Sequence, residues 1–418
     1  MKSKLALVLL VSLFAVFMIA GCGDGDDAAN GVETHTVVGI FPLTGPLSTF
    51  GENSSTVAQL AAADVNEWLE AEDKGWRLRL EIDDTQTEGP VGLRKMQNWF
   101  GDGVRFFAGP QGSGVAQECL AFANSNQILF ISPSSTSPAL AIEDDWLLRF
   151  CTDDQVQGPA IAAAAQAAGI THMIFSWQGD TWGDGLQGAA QTAAEGLGIT
   201  IYPDLLRFDP QKEEFTTDAA LLDEYVTDLV EQGVALENIG VNLITFEQAA
   251  PYMAEAAKYD QLHEVAWIGS DGTAVSEAIL QHPVASEFAA KVKFINSMNR
   301  PAEEVSQSNK DRVREHVQET LGRDIDAYAY NTYDIIWAFA LSFDEVGYDP
   351  EAVREILPRV IDEWSSVYGA SGHIVLNEAG DRAFADYDYY VLNEEGAWEI
   401  VGYYDGATGQ INWTREIY

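Results

Sequence analysis

From Thr36 to Ile268, short apolar runs of strand length alternate with longer stretches whose apolar residues recur at helical spacing. Thr36–Phe41 (TVVGIF), Arg77–Ile82 (RLRLEI), Phe106–Ala108 and Gln127–Ile131 (QILFI) read as strands. Between and after them, Ser54–Glu70, Gly92–Phe100 and Val115–Ser125 read as helices. The rhythm resumes with a helix over Ala160–Ala168, a strand over His172–Ser176 (HMIFS), a helix over Gly183–Ala194 and a strand over Thr200–Tyr202. It continues with helices Ala219–Gln232 and Ala249–Lys258 and strands Asn238–Ile244 and Glu264–Ile268 (EVAWI). Strands without a polar face, separated by helices, dictate parallel sheets covered on both sides. A chain of 418 residues exceeds what one core supports. The two runs, before and after about residue 152, therefore predict an α/β protein of two doubly wound parallel-sheet lobes. The last third departs from the pattern, with helices expected over Asp311–Leu321, Tyr328–Phe343 and Glu351–Trp364 and a hairpin of Tyr387–Leu392 with Glu399–Tyr404.

The charge narrows the partners. Against 23 basic residues stand 65 acidic ones, a net −42. A surface this anionic repels nucleic acid and anionic lipid. It fits a salt-adapted protein, with an acidic metal-binding surface as the rival reading. The acids are scattered, without a D-x-[DN]-x-[DN]-G loop or an H-E-x-x-H motif, so a solvated acidic shell is the simpler account and no metal or cofactor is expected.

The N-terminus predicts export. Basic Met1–Lys4 precedes an apolar Leu5–Ile19, too short and wrongly flanked to span a membrane. Ile19-Ala20-Gly21-Cys22 resembles a bacterial lipobox, in which the cysteine is acylated. The expectation is a signal peptide over 1–21, lipidation at Cys22 and a Gly-rich polar tether over 22–34. Cys119 and Cys151 would remain in the mature chain, where export permits a disulfide.

Polar groups gather where strands end. In an open parallel sheet, ligands sit beyond the carboxyl ends of the strands, where helix N-termini also point. Phe106–Ala108 runs into GPQGSG, which sets Ser113 at a helix start. Gln127–Ile131 runs into SPSSTSP, which carries Ser134 and Thr136. These are neutral donors suited to a carboxylate. Ser132 and Ser137 are assigned to turns and caps. In the second lobe, strand ends lead to Trp182, Phe246 and Asp271. The rings suit an apolar wall. Asp271 suits either an ammonium partner or a helix N-cap. One lobe for an anion and one for a cation with an apolar group together describe a small zwitterion.

Val38–Gly51 (VGIFPLTGPLSTFG), Asp64–Asn66, Asp83–Asp84, Phe107–Ser113, ISPSSTSPAL, Arg149 with DDQVQGPA, and WGDGL occur in an order and spacing that cover nearly the whole mature chain. Taken together they resemble a type I periplasmic binding protein of the branched-chain amino-acid (leucine/isoleucine/valine) family, the substrate-binding component of an ABC importer. The resemblance implies that Ser113, Thr136 and main chain near Ser134 hold a carboxylate. It implies that Asp271, with main chain at Ser134, holds the ammonium. Trp182, Phe246 and Phe50 take aromatic positions at the cleft, and Asp154 falls at the inter-lobe crossover. It further implies crossings near residues 152, 297 and 371. These divide the chain into 35–151 plus 298–370 and 152–297 plus 371–418, lobes that close on the ligand for a membrane permease. Tyrosine often stands in the family where this chain has Trp182 and Phe246, and glutamate where it has Asp271. The family's ligands include other amino acids, amides, urea and aromatic acids, so the ligand does not follow from the fold.

Two other classes compete. A hydrolase using Ser113 lacks a G-x-S-x-G elbow, and none of the six histidines falls at a predicted strand end facing the cleft. A ligand sensor of the same fold, signalling to a membrane partner, has the same sequence signature as a transport component.

Overall fold

The computed structural model describes residues 32–301 and 307–415. The expected signal peptide and Cys22 lie outside the described residues. The first sheet has five parallel strands, β1 (Glu33–Phe41), β2 (Trp76–Asp84), β3 (Phe106–Ala108), β4 (Leu129–Ser132) and β5 (Leu147–Arg149), in the order β2-β1-β3-β4-β5. Because β1 starts at Glu33, the last residues of the expected tether belong to the sheet. Helices α1 (Ser48–Ala71), α2 (Gly89–Gly101) and α3 (Ser113–Asn126) connect these strands.

The second sheet is also parallel. It contains β6 (His172–Gln178), β7 (Thr200–Ile201), β8 (Leu206–Phe208), β9 (Ile239–Ile244) and β10 (Ala266–Ile268), in the order β10-β9-β6-β7 with β8 also paired to β6. Its helices are α4 (Asp154–Ala167), α5 (Thr181–Gly196), α6 (Thr216–Glu231), α7 (Ala249–Ala256), α8 (Glu277–Gln281) and α9 (Pro283–Lys291). One face packs against α4 and α5, the other against α6, α7 and α9. Helix α4 starts six residues before the expected Ala160, with Pro159 inside it. Asp153 accepts the N–H of Gln155 (2.9 Å) and caps the start.

The last third divides between the lobes. Helices α10 (Gln307–Leu321), α11 (Ala327–Val346) and α12 (Pro350–Tyr368) join α1 over one face of the first sheet. Most of α11 is buried, which accounts for its apolar character on all sides. The expected hairpin is the centre of a four-stranded antiparallel sheet, β11 (Asn296–Asn299), β12 (Tyr387–Leu392), β13 (Trp398–Asp405) and β14 (Gln410–Trp413). This sheet packs with the second lobe. The chain passes between the lobes after β5, after β11 and before β12. Ahead of the last passage, Ile374 and Leu376 still pack in the first core, and Asp381 bridges to Arg149 at the sheet edge. Cys119 and Cys151 are both free and buried, each in a different lobe's core.

Arg149 ties these parts together from a fully buried position. Its Nε and Nη2 donate to the two oxygens of Asp381, each at 2.5 Å. Its Nη1 donates to the carbonyls of Ser135 (2.7 Å) and Ser137 (2.8 Å). One guanidinium thus holds the hydroxyl-rich loop after β4 against the returning chain. Removing one partner of a buried ion pair leaves an uncompensated charge. Asp381→Ala is therefore expected to lower stability by about 3–5 kcal/mol, read as a fall in the urea midpoint. An unchanged midpoint would show that the pair is dispensable.

Candidate functional site

A cavity lies between the lobes beyond the strand ends, lined by Leu47, Phe50, Gly112, Ser113, Ser134, Trp182, Phe246, Asp271, Gly272 and Tyr328. Six of the eight residues expected at the site line it. Thr136 and Asp154 do not, and both are buried behind its wall.

The first lobe supplies neutral polar groups. After β3 the chain turns through Gly112, whose φ of +81° suits glycine, and Ser113 opens α3. Ser113 Oγ accepts the N–H of Ser137 (3.1 Å), so its hydroxyl proton remains available to another acceptor. Ser132 Oγ donates to the Pro110 carbonyl (2.6 Å), bonds to Ser135 Oγ (2.8 Å) and accepts the N–H groups of Ser134 (3.3 Å) and Ser135 (3.0 Å). Ser132 and Ser137 are structural, as expected from sequence. Ser137 also reaches across the cleft, where its Oγ donates to the Thr181 carbonyl (2.7 Å).

The second lobe supplies rings and acid. Asp180 caps α5 by accepting the N–H of Gly183 (2.8 Å), which places Trp182 inside the first turn rather than before it. Trp182 and Phe246 stack on each other with centroids 4.4 Å apart and planes 15° from parallel. They form one two-ring wall rather than two walls flanking a ligand. Gly272 makes the stack possible. A Cβ there would lie 2.5 Å from Trp182 Cη2 and 2.6 Å from the Thr245 carbonyl. Asp271 is not a helix cap. It follows β10 in a turn, and its Oδ2 accepts the hydroxyl of Tyr328 (2.7 Å) on α11 of the other lobe.

What these groups leave unsatisfied defines the chemistry. Asp271 Oδ1, both carboxylate oxygens of Asp154, Gln157 Oε1 and Thr136 Oγ1 are buried without a hydrogen-bond partner. Burial and the Asp271 carboxylate hold Asp154 well above the usual carboxylate range. The Thr136 hydroxyl and Arg149 oppose this, although Thr136 reaches no ordinary hydrogen-bond geometry. Burial raises Asp271 too, against the Tyr328 hydroxyl; Gln157 Nε2 donates instead to Ser297 and the Gly272 N–H to Ser270 Oγ, so neither reaches an ordinary hydrogen bond to Asp271. Two buried carboxylates with three free acceptor oxygens and no ion-paired cation call for a cationic donor. Arg149, the cation acting on Asp154, is engaged by Asp381 and loop carbonyls. Among the described residues no group of three or more His, Cys, Asp or Glu side chains is placed to hold a metal.

A separate contact crosses the cleft. The Glu247 carboxylate meets the start of α1, accepting from the Ser48 hydroxyl (3.2 Å), the Thr49 N–H (3.3 Å) and the Thr49 hydroxyl. Its own N–H donates to the Pro46 carbonyl (3.3 Å). Sequence reasoning missed Tyr328, Gln157 and the bridging role of Glu247, because their partners lie far away in the chain.

The family model described as Receptor family ligand binding region matches residues 53–395. The chain belongs to that family. An uncharacterized protein of Methanocaldococcus jannaschii is 30% identical over 416 residues, covering 94% of this chain and 96% of its own. The Leu/Ile/Val-binding protein BraC3 of Rhizobium johnstonii is 23% identical over 358 residues, covering 84% of this chain and 89% of its own. Among solved structures, the leucine-binding protein LivK of Thermotoga maritima superposes with a TM-score of 0.73 at 18% identity, covering 88% of this chain and 98% of its own. The resemblance to type I periplasmic binding proteins of the branched-chain amino-acid family holds, and the fold is theirs. This is a family of extracytoplasmic substrate-binding proteins rather than enzymes, and the present chain is a substrate-binding protein of that fold. Among the described residues no helix is long and apolar enough to cross a membrane.

The carboxylate pair has a pH signature. An acid whose folded pKa lies above its unfolded value binds its proton more tightly in the fold. Stability is then greatest below the unfolded value, near pH ~4, and is lost as pH rises toward the raised value. Asp154→Asn should therefore melt at a higher temperature than the unmodified ligand-free protein near neutral pH. The gap should shrink as pH falls toward ~4. A variant less stable at neutral pH would contradict this account.

Proposed function

We propose that this protein is the binding component of an ABC importer and captures an amino acid by closing its two lobes. The observation that carries the reading is Asp271 Oδ1. It is a buried carboxylate oxygen with no donor, on a residue lining the cavity across from Ser113 and Ser134. An ammonium supplies the missing donor as a charge-assisted hydrogen bond. The ligand carboxylate then meets the Ser113 hydroxyl and main chain at Ser134, with Thr136 behind them. Asp154 sits close enough to Asp271 to feel the same charge, so it favours the ammonium without touching the cavity. Phe50, Trp182 and Phe246 shield the ligand from water. An aromatic acid brings no donor for the Asp271 oxygen, and urea or an amide brings N–H donors but neither a positive charge for the buried carboxylates nor a carboxylate for Ser113 and Ser134, so the amino-acid reading is preferred over those alternatives.

The ligand bridges two half-sites on different lobes and so favours the closed state by its contacts there. The lobes turn about the three crossings, and a membrane permease reads the closed form. Acylation at Cys22 would hold the protein on the outer side of a membrane through a tether, without a spanning helix. The net charge of −42 suits a high-salt setting, in which screening relieves self-repulsion.

A thermal-shift screen tests the reading, because a ligand that binds only the native state raises the melting temperature. Amino acids should raise it and benzoate and urea should not. Asp271→Asn, which keeps the shape and removes the charge, should abolish the amino-acid response while leaving the ligand-free melt cooperative. A full response in that variant would remove Asp271 from the site. Cys22→Ala should move the protein from the membrane fraction to the soluble fraction of cells, and retention on the membrane would refute the lipid anchor.

A further inference from the structure

The shape of the cavity says more about the ligand than the fold does. Among the described residues, the contacts that join the lobes without a ligand's help include Glu247 at the start of α1, Ser137 Oγ on the Thr181 carbonyl, and the Tyr328 hydroxyl on Asp271. They fix the closed geometry. In that geometry only ≈ 20 Å³ of the cavity is open to the centre of a water molecule. Widened by a water radius of ~1.4 Å, a compact space of that size amounts to about 100 Å³. That is room for the main-chain atoms of an amino acid and at most a small side chain.

The walls cannot readily give way. Trp182 and Phe246 are 2% and 6% exposed. Their stack is pressed against Gly272, where no side chain fits. Phe50 and Tyr328 close the opposite side, with ring centroids 6.4 Å apart. Swinging Trp182 out would break the stack and open a void in a packed wall. The unpartnered Asp271 Oδ1 at the cavity wall asks for an N–H donor, which a quaternary ammonium lacks.

We propose that the ligand is a primary-amine zwitterion with a small side chain, of glycine, alanine or serine size, and that the Trp182–Phe246 stack excludes branched-chain amino acids. This rests on the amino-acid reading above. It departs from the ligands named for BraC3 and LivK. Beyond Gly112 and Phe246 the cleft mouth widens toward Glu88, Glu118, Asp180 and Gln178. Pro46, Pro90, Val115 and Pro210 line the same wider space, outside the narrow cavity.

Isothermal titration of the purified protein with glycine, L-alanine, L-serine, L-leucine, L-lysine and glycine betaine tests the proposal. The best of the first three should bind about tenfold or more tighter than leucine, the scale expected where a pocket lacks room for added methylenes. Glycine betaine should not bind. Trp182→Ala should narrow or reverse the preference by improving leucine, and Phe246→Leu provides a milder enlargement if the first variant fails to fold. Leucine binding as tightly as alanine in the unmodified protein would overturn the size limit and leave the amino-acid reading standing. Tightest binding of lysine would overturn it by showing that the side chain runs out through the mouth, and tightest binding of glycine betaine would overturn the primary-amine requirement. If no amino acid binds, the amino-acid reading and this inference fall together.

Discussion

Arg149 is the group on which the site depends. It is fully buried, paired through both ends of its fork with Asp381, and it donates to two carbonyls of the loop after β4. A bidentate pair of this kind fixes geometry as well as charge. Fixing that loop sets the Ser137 N–H against Ser113, Ser134 at the cavity wall and the Thr136 carbonyl on the Asp154 N–H. The same contacts engage Arg149, the cation that acts on Asp154, in structure. The cleft is therefore left with neutral donors on one side and, on the other, the uncompensated Asp271 carboxylate backed by buried Asp154.

That asymmetry links fold to function. Parallel strands end together, so their polar turns gather in one place, and two such sheets facing each other bring two unlike sets of turns together. Neither set makes a site alone. Asp271 takes one hydrogen bond from Tyr328 across the cleft and keeps one oxygen free. A buried acceptor without a donor costs about 1–3 kcal/mol, and a ligand that supplies the donor recovers this on closing. Closure by Glu247 at the α1 start adds an interaction of a carboxylate with a helix N-terminus, with no ligand atom involved.

Much of the architecture was legible because strands buried on both faces read as apolar runs and helices carry their own period. Where that signal weakens, elements were missed. β5 and β8 have three residues each, and β11 is Asn-Ser-Met-Asn, held by pairing with β12 rather than by apolar character. β14 is an exposed edge strand. Helix α4 begins earlier than expected because Asp153 caps it and Pro159 is accommodated within it. The site residues that follow strand ends were legible for the same reason the strands were. Tyr328 was not, since it reaches Asp271 from a helix 57 residues further on. Nothing local distinguishes its hydroxyl from those of the other tyrosines on α11. Depth was equally hidden, and Thr136 and Asp154 prove to stand behind the wall rather than in it.

The central claim is that Asp271 waits for an ammonium while the opposite lobe waits for a carboxylate. A crystal structure of the protein grown with L-alanine tests it most directly. The account predicts closed lobes, with the ligand nitrogen about 2.7–2.9 Å from Asp271 Oδ1 and its carboxylate against Ser113 and Ser134. A ligand bound in the reverse orientation, or outside the cavity between the lobes, would contradict it.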